Sequence, residues 1–220
     1  MEFLNSIIQG DCRQVLQTFP SLSVDLVVTD PPYLVNYRDR SGRTVKNDGG
    51  ETGILSAFSD MYRVLKPNSI CVSFYGWNRA DEFFKAWREA GFRPVAHIVW
   101  KKDYTSKAAF VQYRHEQAYV LAKGNPQLPA KPIEDVQPWA YSGNRAHPTE
   151  KAVSILQPII RSFSRPGAIV LDPFSGSGST AVAAALCGRS YVGVELEADY
   201  CAHARTRLAG AAKYAVRKPT

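Results

Sequence analysis

Short apolar runs alternate with helix-length segments along most of this chain, and that alternation restricts it to an α/β sheet with helices on both faces. The runs are continuous rather than alternating in polarity, as strands buried on both sides must be. They predict strands over 24–29, 70–74, 96–100, 118–121, 168–171 and 190–194. Helices are expected over 52–65, stopped by Lys66-Pro67; over 79–90, stopped by Gly91; over 151–163; over 179–186, stopped by Gly188; and over 198–208. With 220 residues, 45% of them hydrophobic, the chain can bury one sizeable core, so 1–220 is read as a single domain. Two stretches break the rhythm. Residues 34–53 are rich in charge and glycine and 123–145 in proline, and loops that long in a compact domain are candidates for contacting a substrate.

A formal net charge of +7 favours a polyanionic partner, although ribosomal and membrane-surface proteins share that balance. Cys12, Cys71, Cys187 and Cys201 are scattered without a Cys-x-x-Cys pair, which indicates neither a zinc cluster nor a disulfide framework, and no metal is expected. No segment approaches the roughly 18 uninterrupted apolar residues of a membrane span. Met1-Glu2-Phe3-Leu4-Asn5 does not open a secretory leader, so the expected location is the cytoplasm, with no membrane contact.

The strand ending at Leu171 runs into Asp172-Pro173-Phe174-Ser175-Gly176-Ser177-Gly178-Ser179 and then an alanine-rich helix. Glycines in such a turn let the backbone approach a ligand closely, but a Gly-x-Gly turn alone also fits a tight turn without one. The acid at the end of the next strand, Glu195, lies about 20 residues further on, where it can bind a ribose diol. The third glycine of a dinucleotide fingerprint is missing, and Asp172 would repel a pyrophosphate while attracting an ammonium group. Those features favour S-adenosylmethionine over a dinucleotide.

Asp30-Pro31-Pro32-Tyr33 ends the strand over 24–29, where open α/β sheets place ligands. Consecutive prolines restrict the backbone and donate no N–H, which fixes the direction of the carbonyls around them. The Asp30 carboxylate and the Pro31 carbonyl could each accept one hydrogen of an amino group, while Tyr33 stacks on the base that carries it. An exocyclic amine is a poor nucleophile because its lone pair is delocalised, so positioning and polarisation matter more than a strong base. A covalent cysteine route would need an exposed, activated thiol, and none of the four cysteines sits in an evident catalytic turn.

In content and order these motifs resemble the β-class amino-methylating DNA methyltransferases, in which the catalytic motif precedes the cofactor motif as though the usual fold were circularly permuted. The resemblance spans nearly the whole chain. It implies a Rossmann-like methyltransferase sheet, mostly parallel with an antiparallel strand, in a bacterial or phage protein. It also implies methyl transfer from S-adenosylmethionine to a flipped-out base in DNA. Adenine N6 is favoured because Asp-Pro-Pro-Tyr is the commoner form among adenine members. Cytosine N4, an RNA substrate and a non-catalytic S-adenosylmethionine-binding protein stand as alternatives. The catalytic residues so implied are Asp30, Pro31, Pro32 and Tyr33. The cofactor wall would comprise Asp30, Asp172, Pro173, Phe174, Ser175, Gly176, Ser177, Gly178, Glu195 and Leu196. Ile7-Ile8-Gln9-Gly10-Asp11-Cys12 would bring Asp11 and Cys12 to the cofactor adenine. His147-Pro148-Thr149-Glu150-Lys151 would bring His147, Thr149 and Lys151 towards its methionine end, and the family pattern continues with proline where Ala152 stands here.

On the residues alone, Asp11 could equally cap a turn, and His147 has no nucleophile or metal partner nearby and reads as structural. Trp77, Trp100 and Trp139 could pack rather than stack on bases. Two basic groups stand on either side of the proposed pocket: Arg38, Arg40, Arg43 and Lys46, and then Lys101, Lys102, Lys107 and Arg114. Each could be a solvated face, but their position favours phosphate contacts around an extruded base. The region 122–146, where the family reads its target, is short and carries few groups suited to base edges. Either the recognised site is short and relaxed, or a second subunit in a homodimer completes the surface.

Overall fold

The structure, a computed structural model, describes residues 3–35, 52–140 and 150–216. In chain order its elements are β1 (Ser6–Gln9), α1 (Cys12–Val15), β2 (Val24–Thr29), α2 (Ala57–Val64), β3 (Leu65–Phe74), α3 (Ala80–Ala90), β4 (Arg93–Lys101), β5 (Lys107–Ala108), β6 (Gln112–Tyr113), β7 (His115–Lys123), β8 (Val136–Pro138), α4 (Val153–Phe163), β9 (Ile169–Asp172), α5 (Ser179–Leu186), β10 (Ser190–Glu195) and α6 (Ala198–Val216). Eight strands form one sheet in the order β1-β10-β9-β2-β3-β7-β4-β8, and β5 with β6 forms a separate hairpin. Among the described residues of the large sheet, only β7 runs against its neighbours; every other pairing there is parallel. The expected Rossmann-like sheet with one antiparallel strand is therefore present, and the carboxyl ends of β2, β9 and β10 open on one edge.

Burial on both faces explains the uninterrupted apolar strands. Leu26, Val28, Val72 and Val120 face Ile155, Leu156 and Ile159 of α4 and Ala183 and Ala184 of α5. Val27, Cys71, Leu121 and Leu171 face Phe58 and Met61 of α2 and Phe83 and Trp87 of α3. The β2–β9 seam is short, pairing Leu26 with Val170 and Val27 with Leu171. Asp25 extends it: one carboxylate oxygen accepts the Ile169 N–H at 2.8 Å and the other the Lys66 ammonium at 2.6 Å, so one side chain ties three strands. At the sheet's other end, Ile7 of β1 packs with Cys201, Ala204 and Leu208 of α6, and Arg205 donates to the Ile7 carbonyl at 2.8 Å.

All six expected strands form, and the differences lie at their margins. β3 starts at Leu65, five residues early, because Pro67 biases Lys66 towards extended backbone and ends the helix before it. The expected helix over 52–65 is accordingly a 3-10 turn over Thr52–Ser56 followed by α2. Lys151 precedes α4 rather than opening it, since Ala152 is the extended N-cap. β8 lies inside the stretch expected to be loop; Val136 and Pro138 are exposed, so no hydrophobic periodicity marks it. The four-residue β1 was equally hidden, because only Ile7 is buried, Ser6 and Ile8 are half-buried and Gln9 is exposed.

Candidate active site

Three neighbouring strand ends meet in one cleft. Asp30, Pro31, Pro32 and Tyr33 line it after β2; Asp172, the last residue of β9, and Pro173, Phe174, Ser175, Gly176 and Ser177 after it; and Glu195, the last residue of β10, with Leu196. Asp11 and Cys12 reach it from the turn after β1, and Lys151 from the segment before α4. Gly178 does not line the cleft. It caps α5 at φ +81°, with its Cα against Ala204 of α6, where a Cβ would come within 2.8 Å of the Ala204 Cβ. His147 and Thr149 lie outside the described residues, as do Arg38, Arg40, Arg43 and Lys46.

At the catalytic turn, the Tyr33 hydroxyl donates to one Asp30 oxygen at 2.8 Å and the Lys151 ammonium to the other at 2.5 Å. Lys151 is buried, with its ammonium 4.9 Å from the centre of the Phe74 ring. Burial pulls its ammonium down, but Asp30, Glu116 and Asp172 outweigh that and hold its pKa above the usual lysine value, so Lys151 stays charged. Leu34, directly after Tyr33, has φ +61° yet is buried, so the exit of this turn is held in a strained conformation by core packing.

The cofactor turn is held differently. Glu195 accepts the Gly176 N–H and the Glu197 N–H, each at 2.8 Å, one per carboxylate oxygen. Each oxygen keeps a lone pair for a further donor, such as a ribose hydroxyl. Burial raises its pKa, and those N–H groups oppose the rise. Asp172 is only 4% exposed. Burial pushes its carboxyl up to about 7, against hydrogen bonds from Thr180 and the Phe174 N–H. The Ser175 hydroxyl is buried without a hydrogen-bond partner among the described residues. A buried carboxylate outside any ion pair of the described residues, an orphaned hydroxyl and a backbone turn fixed by an acid suit a ligand that carries an ammonium group and a diol.

Asp11 accepts the Arg13 N–H at 2.9 Å as the N-cap of α1 and pairs with the Arg13 guanidinium at 2.6 Å, which lowers its pKa. It thus caps a turn and also lines the cleft. The Cys12 thiol is pushed up to about 12, chiefly by burial, which keeps it protonated at neutral pH. Two residues that hold the glycine-rich turn in place, Arg207 and Gly193, went unread in the sequence. Arg207 of α6 donates to the Ser177 carbonyl at 2.8 Å and hydroxyl at 2.7 Å and pairs with Glu150 at 3.2 Å, clamping the glycine-rich turn to the segment before α4. An arginine in a helix announces no such role. Gly193 in β10 is required because a Cβ there would lie 2.5 Å from the Ser175 oxygen; a glycine inside an apolar strand was the available signal.

A family model described as DNA methylase, covering N6- and N4-directed enzymes, matches residues 24–206. The chain belongs to this family. It is 58% identical over 206 residues to YubD of Escherichia coli K12, named as a methylase, spanning 94% of this chain and 91% of that one. It is 25% identical over 260 residues to the type II methyltransferase M.HinfI of Haemophilus influenzae, spanning 94% and 69%. Among solved structures, a Thermus thermophilus protein named as a DNA modification methylase and complexed with S-adenosyl-L-methionine matches with TM-score 0.73 at 25% identity, over 94% of both chains. The cytosine-N4-specific PvuII DNA methyltransferase shares the fold with TM-score 0.76 at 18% identity, over 96% of this chain and 91% of that one.

Within this family member the second basic group divides. Lys101, Lys107 and Arg114 are exposed. Lys102, expected beside them as a nucleic-acid contact, is buried, paired with Glu116 at 2.5 Å and set 5.3 Å from the centre of the Trp139 ring, so its charge serves the fold. Trp100 is core, stacked on Phe74, and Trp139 packs against the same core. Trp77 alone of the three is exposed, stacked on Tyr113 with ring centres 5.5 Å apart.

Proposed function

We propose that the protein methylates adenine N6 in DNA, acting on a base turned out of the duplex. DNA amino-methylation follows from the family. The choice of adenine is supported by the resemblance of Asp30-Pro31-Pro32-Tyr33 to the adenine-directed form of the motif. The observation that carries the reading is the placement of Asp30 and Asp172 at the ends of two hydrogen-bonded strands on one cleft, so that base and cofactor sites adjoin.

The methyl donor is S-adenosylmethionine, which when bound supplies an electrophilic methyl group. Asp172 would hold its ammonium, Glu195 its ribose diol, and the Asp11–Cys12 turn with Leu196 its adenine. Asp30 accepts one hydrogen of the target amine and the Pro31 carbonyl the other. Acidity of the amine rises as its nitrogen takes the methyl group, so a fixed negative acceptor is stabilising when the barrier is crossed. Lys151 and the Tyr33 hydroxyl fix the direction of that acceptor. The short 122–146 region supports a short, relaxed target site.

Expression in a host free of DNA methylation, followed by nucleoside analysis of DNA and RNA, tests this. N6-methyladenine in DNA is expected. N4-methylcytosine alone would overturn the choice of base, and modification of RNA alone would overturn the choice of nucleic acid.

A further inference from the structure

The β5–β6 hairpin has no part in the cleft, yet it stands at the cleft's edge of the sheet. It joins the carboxyl end of β4 to the amino end of β7, and because β7 is antiparallel both points lie on the edge where β2 and β9 present Asp30 and Asp172. Its tip carries two adjacent exposed apolar side chains: Phe110 is fully exposed and Val111 is 59% exposed. The base of the arm is fixed. The Lys102 N–H donates to the Arg114 carbonyl at 2.8 Å, and the Ser106 N–H to the Tyr113 carbonyl at 2.9 Å. Tyr113 stacks on Trp77, and Trp77 follows Gly76, whose Cα sits so close to the catalytic turn that a Cβ would come within 2.9 Å of the Tyr33 Cβ. An unbroken line of contacts thus joins the arm to Tyr33 and, through its hydroxyl, to Asp30.

A duplex offers phosphates to cations and base faces to an apolar wedge. The arm presents both, with Lys107 on β5 and Lys101 and Arg114 exposed at its base. A net charge of +7 makes a polyanion, rather than a second copy of this chain, the match for the tip and those cations together. We propose that this arm enters the DNA stack, Phe110 filling the space left when the target base swings out while Lys107 holds a neighbouring phosphate. The inference rests on the DNA amino-methylation reading above. Extruding a paired base sacrifices stacking, and an aromatic face restores part of it. A base that is already unpaired has less to lose, so the arm should matter less for it.

Single-turnover methylation by the wild-type protein, Phe110→Ala and Phe110→Trp on two duplexes of one sequence tests the arm, with the target base paired in one duplex and mismatched in the other. Phe110→Ala is expected to slow transfer about tenfold or more on the paired duplex, and to stay close to wild type on the mismatched one. Phe110→Trp should keep most of the paired-duplex rate, and thermal melting should not change. Equal losses on both duplexes, or none on either, would overturn the arm's role. A wild-type protein that methylates neither duplex nor their single strands would instead overturn the function reading, and is told apart by that control.

Discussion

Asp30-Pro31 and Asp172-Pro173 are the same dipeptide at the ends of two hydrogen-bonded parallel strands, yet the two carboxylates live in opposite electrostatic conditions. Asp30, with a side chain 20% exposed, has a buried lysine 2.5 Å away and a tyrosine hydroxyl on its other oxygen. Asp172 is more deeply buried, with no ion pair among the described residues, and burial pushes its carboxyl up to about 7 against its hydrogen bonds. The first is an acceptor whose direction is set by the fold. The second is left for a ligand to complete. On the function proposed above, one dipeptide would serve a base amine at Asp30 and a cofactor ammonium at Asp172, according to what the third element of the cleft places beside it.

The comparison can be broken most severely at Asp30. Asp30→Ala should lower single-turnover methyl transfer by about 10²-fold or more while cofactor affinity, measured by calorimetry, stays near wild type. A near-normal rate would remove Asp30 from the amine. Asp172→Asn should show the converse, weakening cofactor binding by about 1.5–3 kcal/mol above pH 7 and much less near pH 5.5, where the wild-type carboxyl is already protonated. Wild-type affinity should accordingly rise with pH through about 7. Stability of the ligand-free protein should run the other way. The native carboxyl binds its proton more tightly than the unfolded one, whose ordinary value is 3.8, so this group's contribution is complete below that value and lost as pH rises through about 7. Denaturant midpoints of Asp172→Asn that keep the wild-type pH slope would contradict the assignment.

Gly193→Ala sharpens the contrast from the backbone side. Its Cβ would meet the Ser175 oxygen and the Ile7 side chain, so the cofactor turn must shift, at about 1–3 kcal/mol of stability or cofactor affinity. The catalytic turn should be untouched, leaving the rate at saturating cofactor nearly unchanged. The smallest effect is expected from Lys101→Ala with Lys107→Ala: a shallower salt dependence of DNA affinity, by about 0.9 in slope for each phosphate no longer neutralised, with no change in cofactor affinity. An unaltered slope would make these lysines a solvated face.

Much of this arrangement was legible in the sequence because buried parallel strands write themselves as continuous apolar runs, and because proline and glycine mark where they end. Asp30, Asp172 and Glu195 could be placed on one edge for that reason. The edge strands β1 and β8 could not, since four residues and three are too few to write a side-chain pattern, and Val136 and Pro138 of β8 are exposed. Lys102 looked like its neighbours Lys101 and Lys107, and only the tertiary position of Glu116 distinguishes it. Arg207 was opaque in the same way, and Lys151 could be named but its partner Asp30 could not: what a long cationic side chain reaches is fixed by packing between elements far apart in the chain.

The packing of Ile7 in the first strand against Cys201, Ala204 and Leu208 in the last helix gives the described fold the connectivity of a ring with one cut. Where such a ring is severed decides which turn is synthesised first, but not which strand lies beside which. The adjacency of β2 and β9 survives any choice of cut that spares the strands. Reordered chains, opened in the stretch between β8 and α4 and linked from α6 back to β1, should therefore rebuild the same cleft with the order of its two aspartates reversed.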